Sequence, residues 1–261
     1  MAPKVAIIYY SMYGHILELA KAEKKGIESA GGQANIYQTA ETLSDEILAN
    51  LNAPQKSNYP VVEASDLLQY DAVLFGIPTC YGNFPAQWKT FWDKTGSIWA
   101  TGGYWGKYAG LFVSSCTLRG GQESAAIATM STLSHHGFIY VALGYKNVYP
   151  LLTNLEDIHG GSAWGAHTFV GADGSRQPTA LELQIAEAHG KAFYEAAAKA
   201  HYLTDQSFFH DEVFELIRKQ ARESQGSSIP SILFVLYIAL LYEELKVLWV
   251  AVIGFAAIKT E

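Results

Sequence analysis

The apolar run Val5-Ala6-Ile7-Ile8-Tyr9-Tyr10 breaks abruptly into Ser11-Met12-Tyr13-Gly14-His15-Ile16, and a helical pattern then continues to about Ser29. A strand, a tight turn and a helix in that order is the first unit of a strand–helix alternation, the pattern of an α/β fold. The same order builds an anion site. A helix N-terminus leaves backbone N–H groups without intrahelical partners and carries partial positive charge. Ser11 adds a hydroxyl, and Gly14 lets the backbone approach closely. The turn holds no Lys or Arg, so it is not a Walker-type loop, which ends in Gly-Lys-Ser/Thr. It suits a terminal monophosphate. The competing reading of this segment is an ordinary capped strand-to-helix turn.

The alternation continues to about Ala200. Strands are expected at Lys4–Tyr10, Gln33–Gln38, Ala72–Ile77, Tyr108–Ser114 and Phe138–Leu143, with helices near His15–Ala30, Pro85–Lys94, Glu123–His135 and Thr179–Lys199. Ala72–Ile77 and Tyr108–Ser114 are nearly continuous apolar runs, as strands buried on both faces require. The expected fold class is α/β: a flavodoxin-like, doubly wound, five-stranded parallel sheet of order 2-1-3-4-5. That order puts a ligand at the carboxyl ends of strands 1 and 3. There the loops Ser11–His15, Pro78–Phe84 and Ser114–Gln122 meet. Two more long, Gly-rich, aromatic loops, Gly96–Lys107 and Gly144–Pro178, have the length of functional segments.

With 261 residues and 49% of them hydrophobic, the chain can bury a large core. A net charge of −7 argues against nucleic acid as a partner. Two cysteines, Cys80 and Cys116, make no disulfide framework and point to a reducing compartment. Met1-Ala2-Pro3-Lys4-Val5 runs straight into the first strand with no secretory pattern, so a cytoplasmic location is expected. His159, His167, His189 and His201 show no metal-ligand spacing, and no metal is expected.

Composition shifts beyond Tyr202, and the expected division is a flavodoxin-like domain over 1–204 and a hydrophobic extension over 205–261. Ser207–Glu223 reads as an amphipathic helix and Gln225-Gly226-Ser227-Ser228 as a hinge. Ile229–Tyr242 and Val247–Ile258 are strongly apolar but are split by Glu243-Glu244-Leu245-Lys246. Neither reaches the roughly 18 apolar residues of a confident membrane span. A core-docked helix pair, a membrane-associated hairpin and an extension from a faulty gene model are the alternatives.

Several motifs in a fixed order now add up. They are Tyr10-Ser11-Met12-Tyr13-Gly14-His15-Ile16, Phe75-Gly76-Ile77-Pro78-Thr79, Tyr81-Gly82-Asn83-Phe84-Pro85, Gly120-Gly121-Gln122-Glu123, Leu133-Ser134-His135-His136-Gly137 and Gly171-Ala172-Asp173-Gly174-Ser175-Arg176-Gln177-Pro178. From about Lys4 to Ala200 the chain resembles the WrbA-type, flavodoxin-like NAD(P)H:quinone oxidoreductases, closest in flavour to fungal members. The resemblance implies noncovalent FMN, a hydride from NADH or NADPH, two-electron reduction of a quinone, and a homo-oligomer, a tetramer or a dimer. It implies that Ser11, Met12, Tyr13, Gly14, His15 and Ile16 hold the FMN phosphate. Pro78, Thr79, Cys80, Tyr81 and Gly82 would line one side of the isoalloxazine, and Ser115, Cys116, Thr117, Leu118, Arg119 and Gly120 the other. His135 would reach the flavin as the catalytic electrostatic group, and Tyr13, Tyr81 and Trp99 would contact nicotinamide or substrate. Read from the residues alone, His135-His136 would cap a helix end, Trp99 would pack in an aromatic loop, and Gly171-Ala172-Asp173-Gly174 would be a turn cluster, with Arg176 at an interface.

The chain departs from the family pattern in two places. Cys80 stands where the family has Arg. Cys116 and Arg119 stand where it has Gly, and a residue held at φ > 0 in place of Gly costs about 1–2 kcal/mol. Three functions are therefore weighed: an FMN-dependent quinone reductase, a flavodoxin-type electron carrier, and a non-catalytic scaffold associated with membrane through the extension. A yellow purified protein supports either redox reading, and NADH oxidation with benzoquinone separates the two.

Overall fold

The structure, a computed structural model, describes residues 2–199. The expectations for the amphipathic helix, the hinge and the two apolar runs of the extension lie outside the described residues. Strands β1 (Val5–Tyr9), β2 (Ala34–Gln38), β3 (Ala72–Pro78), β4 (Tyr108–Ser115) and β5 (Ile139–Tyr140) form one parallel sheet in the order β2-β1-β3-β4-β5. Every residue of β1 is buried, as are Ala72–Ile77 of β3 and Ala109–Ser115 of β4. The continuous apolar runs thus mark the strands covered on both faces.

Among the described residues seven α-helices accompany the strands: α1 (His15–Ser29), α2 (Asp45–Asn50), α3 (Ala86–Asp93), α4 (Gly96–Ala100), α5 (Gln122–His135), α6 (Tyr149–Leu152) and α7 over 180–199. On one face Val5, Ile7 and Tyr9 pack with Ile16, Leu19, Ile185 and Phe193 of α1 and α7. On the other, Ala6, Ile8 and Phe75 pack with Trp88, Trp92, Ala126 and Leu133 of α3 and α5. This alternation along β1 is the period-2 pattern of a strand between two helix layers. Helices α1 and α7 cross backbone to backbone: a Cβ on Gly26 would lie 1.9 Å from the Glu187 carbonyl oxygen, and one on Gly190 would lie 2.0 Å from that of Glu23. At the crossing His189 Nδ1 meets the buried Glu23 carboxylate at 2.7 Å.

The fifth strand departs from expectation. Phe138–Leu143 was expected as one strand, but β5 is two residues long and pairs only Tyr108 and Ala109 at the start of β4. A sixth strand, β6 (His167–Phe169), pairs Val113–Ser115 at the far end of the same strand. The edge is one strand interrupted by residues 141–166. An insertion there satisfies β4 at both ends, which hydropathy along 138–143 cannot reveal. The expected loop Gly144–Pro178 therefore contains α6 and β6, and Gly96–Lys107 contains α4.

Candidate active site

At the carboxyl ends of β1, β3 and β4 lies a cavity of about 640 Å³, within the usual range for a cofactor. Eight of the expected residues line it: Ser11, Met12, Tyr13, His15, Pro78, Thr79, Ser115 and Cys116. Gly14 is the N-cap of α1 at φ +93°, and no side chain caps the helix. The first-turn N–H groups are thus left for a ligand. Ser11 Oγ accepts the Gly14 N–H at 3.0 Å, which pulls the turn tight and leaves the hydroxyl proton to donate outward. The Ile16 side chain is buried in the core against Gly76, which leaves its N–H as the group it can offer a ligand. His15 is also buried. Burial pushes its pKa below the ordinary histidine value, against hydrogen bonds to the backbone of Arg176 and Gly174, so the ring stands neutral near pH 7.

The next two loops touch glycine to glycine: a Cβ on Gly121 would stand 3.0 Å from Gly82 Cα. Cys80 and Asn83 exchange backbone hydrogen bonds, with Tyr81 at φ 54° and Gly82 at φ 77° between them. Positive φ at both central residues makes a type I′ turn, and its tip presents the Tyr81 ring wholly to solvent. Cys80, Tyr81 and Gly82 border the cavity loop without lining the cavity. In the loop after β4, Thr117 accepts from the Ser115 hydroxyl at 2.7 Å and the Gly120 N–H at 2.9 Å. The strain expected at Cys116 is absent and falls instead on Arg119, at φ 63°. Leu118 and Arg119 face a neighbouring cavity of about 480 Å³ with His159 and His167. The Cys116 thiol donates toward the Gly171 carbonyl at 3.5 Å.

His135 and Trp99 do not join this site within one chain. Helix α5 leaves the cavity end at Gln122 and runs about 20 Å back to the amino ends of the strands. There His135 lies exposed, and its carbonyl accepts the Trp99 Nε1–H at 2.8 Å. Trp99 is 55% exposed. The helix-capping role falls to His136, whose Nδ1 lies 2.9 Å from the Thr132 carbonyl and whose Nε2 lies 2.7 Å from Thr95 Oγ1.

The cavity also gathers residues that carried no local signal. Leu51 and Asn52 line it, and Tyr13 donates its hydroxyl to the Leu51 carbonyl at 3.1 Å. Val170–Gly174 close the other side. Arg176 is engaged within the chain. It grips the fully buried Glu182 through two nitrogens at 3.0 Å each and stacks 3.8 Å from the Phe169 ring centroid. The Glu182 carboxylate also accepts the Gly160 and Thr179 N–H groups and the Thr168 hydroxyl, all at 2.8 Å. One clamp thereby fixes the insertion, β6, the 170–174 loop and the start of α7.

Residues 3–148 match the family model for NADPH-dependent FMN reductase. The chain belongs to that family. It is 64% identical over 203 residues to the minor allergen Alt a 7 of Alternaria alternata, covering 77% of this chain and 100% of the relative. It is 60% identical over 199 residues to the NAD(P)H quinone oxidoreductase PST3 of Candida albicans, covering 76% and 100%. A WrbA-like flavodoxin structure from Agrobacterium tumefaciens shares the fold at a TM-score of 0.53 and 21% identity, over 76% of this chain and 98% of that one. Family membership makes the chain an FMN-type, NAD(P)H-dependent oxidoreductase. The cavity suits FMN: an uncapped helix start and the ends of β3 and β4 line it together. Among the described residues no helix is long and apolar enough to cross a membrane, and no group of three or more His, Cys, Asp or Glu could hold a metal.

Proposed function

We propose that the protein is an FMN-dependent NAD(P)H:quinone oxidoreductase that works by a ping-pong cycle. The observation that carries the proposal is the cavity formed by the uncapped α1 turn, the ends of β3 and β4, and the 170–174 loop. FMN supplies the hydride-accepting and hydride-donating chemistry when bound. The N–H groups from Met12 to Ile16 and the Ser11 hydroxyl would hold its phosphate. Thr79, Ser115 and Cys116 would flank its ring, with Tyr81 on an exposed, strained tip at the open side. A single open face must serve both planar substrates, so NAD(P)H leaves before the quinone binds.

His135 and Trp99 are proposed to act from a neighbouring protomer of a homo-oligomer, because one chain holds them at the opposite end of the sheet from its own cavity. The two cysteines, free and exposed, suit a cytoplasmic protein. Residues 1–204 are proposed as the complete FMN domain and 205–261 as an appendage; truncation after Asp205 should leave a soluble yellow protein. Initial rates with NADH or NADPH against benzoquinone test the cycle. Parallel double-reciprocal lines are expected, and intersecting lines would overturn the shared face. NADH oxidation that does not respond to quinone would favour an electron carrier.

A further inference from the structure

The α1 turn carries no cation of its own, and its one histidine is buried and neutral. A flavin phosphate brings close to two negative charges at pH 7. The fold supplies a cation from another place. Lys56 reaches in from the segment after α2 and donates from Nζ to the Ser11 carbonyl at 3.0 Å. Its ammonium also lies 2.7 Å from Glu41 and 4.7 Å from the Tyr10 ring centroid. The Lys56 side chain is mostly covered, so its charge is less screened than that of a surface lysine. Two of its three N–H donors are used; the third meets no oxygen acceptor among the described residues.

The Glu41 carboxylate paired with Lys56 is held by partners of its own. It also accepts from the Tyr10 hydroxyl at 2.9 Å, Gln87 Nε2 at 2.8 Å, and the Thr42 and Leu43 N–H groups at 2.9 and 3.1 Å. Lys56 bridges that anchored carboxylate to Ser11, so the turn meets the positive end of the pair. The segment that carries Lys56 also supplies Leu51 and Asn52 to the cavity wall.

We propose that Lys56 is the phosphate-recognising cation of this site and that it makes the protein select a phosphorylated flavin over an unphosphorylated one. The inference rests on the cavity being the FMN site. It predicts that the charge, not merely the contact to Ser11, carries the discrimination.

The test uses full-length wild type, Lys56→Gln and Lys56→Arg, stripped of flavin and titrated with FMN and with riboflavin by fluorescence quenching at low and high salt. Gln keeps an N–H donor but loses the charge; Arg keeps the charge. Lys56→Gln should weaken FMN by about tenfold or more, as the loss of one charge-assisted contact implies. It should leave riboflavin within about twofold and flatten the salt dependence of FMN binding. Lys56→Arg should recover most of the FMN affinity. Unchanged FMN binding in Lys56→Gln overturns the proposal, as does equal loss of both flavins, which would mark Lys56 as a structural tether. Should the Gln variant fail to fold, an Arg variant with wild-type riboflavin but strongly weakened FMN binding also overturns it. Wild type that binds neither flavin would instead remove the FMN reading itself.

Discussion

Replacing Glu182 by Gln tests whether the clamp beneath the 170–174 loop carries the weight that its geometry implies. The carboxylate is fully buried and accepts from Gly160, Thr168, Thr179 and both terminal nitrogens of Arg176. An amide turns one acceptor oxygen into a donor. With the amide nitrogen at the Oε1 position, Gly160 N–H and Arg176 Nη2 lose their acceptor. With it at the Oε2 position, Thr179 N–H and Arg176 Nη1 lose theirs, while the Thr168 hydroxyl can rotate to accept. Either way at least two donors are stranded, at about 1–3 kcal/mol each. Breaking a buried pair from one side costs about 3–5 kcal/mol; the partial exposure of the Arg176 side chain, 22%, favours the lower end. For a domain of about 200 residues each kcal/mol moves Tm by roughly 2–4 °C, so a fall of roughly 6–20 °C is expected. Thermal unfolding by circular dichroism reads this directly. Glu187→Gln serves as the control, because its partner Lys25 is largely exposed and such a pair contributes at most about 1 kcal/mol. The variant should also hold FMN more weakly, since the loop lining the cavity hangs from Arg176. A Tm within about 2 °C of wild type would refute the reasoning.

Gly190→Ala should destabilise severely, because its Cβ would meet the backbone oxygen of Glu23 at 2.0 Å and only separation of α1 from α7 relieves that; an unchanged urea midpoint would contradict it. Gly14→Ala meets no neighbouring atom but must hold φ +93°, costing about 1–2 kcal/mol. Gly31→Ala, at φ +82° and equally open, should lose similar stability without the loss of FMN affinity that Gly14→Ala shows, and equal FMN titrations for the two would count against the phosphate turn. Burial alone would raise the Glu41 pKa, but hydrogen bonds from Lys56, Leu43, Gln87 and Thr42 outweigh it and hold the group at about 2 against an ordinary 4.5. Its contribution is fully present above pH 4.5 and is lost as pH falls toward 2. Glu41→Gln should therefore flatten the stability curve across that window, and acid denaturation profiles that superimpose would dispose of the idea.

The sheet order was legible because β1, β3 and β4 are buried on both faces and so write themselves as apolar runs. The α1 turn was legible because strand, Ser, Gly and helix are contiguous. What escaped was assembled by distance in the chain. Lys56 and Glu41 stand 45 and 30 positions from Ser11 and sit in polar stretches without period. The pairing of Arg176 with Glu182 left no mark in the sequence because Glu182 lies inside the capping box that opens α7, where an acid is expected for a local reason. The split of the fifth strand was invisible because its second half, β6, is three residues long and follows an insertion. The family motif places His135 at a flavin, while helix length carries it to the end of the sheet away from its own chain's cavity.

Strained non-glycine backbone clusters at the cavity end of the sheet. Among the described residues, three non-glycines hold positive φ: Asn52, Tyr81 and Arg119. Nothing in their sequence neighbourhoods links them, yet all three stand around the carboxyl ends of β1, β3 and β4. Asn52 lines the main cavity, Tyr81 crowns the turn after β3, and Arg119 bends the loop after β4. Left-handed backbone is disfavoured for L-residues by about 1–2 kcal/mol each, least for Asn, and such strain persists where a site fixes it. Glycine at Tyr81 or Arg119 would relieve it, but would also remove the exposed ring at the open side and the guanidinium of the adjoining cavity. The chain keeps side chains where conformation alone would choose none, on three separate segments around the cavity end of the sheet.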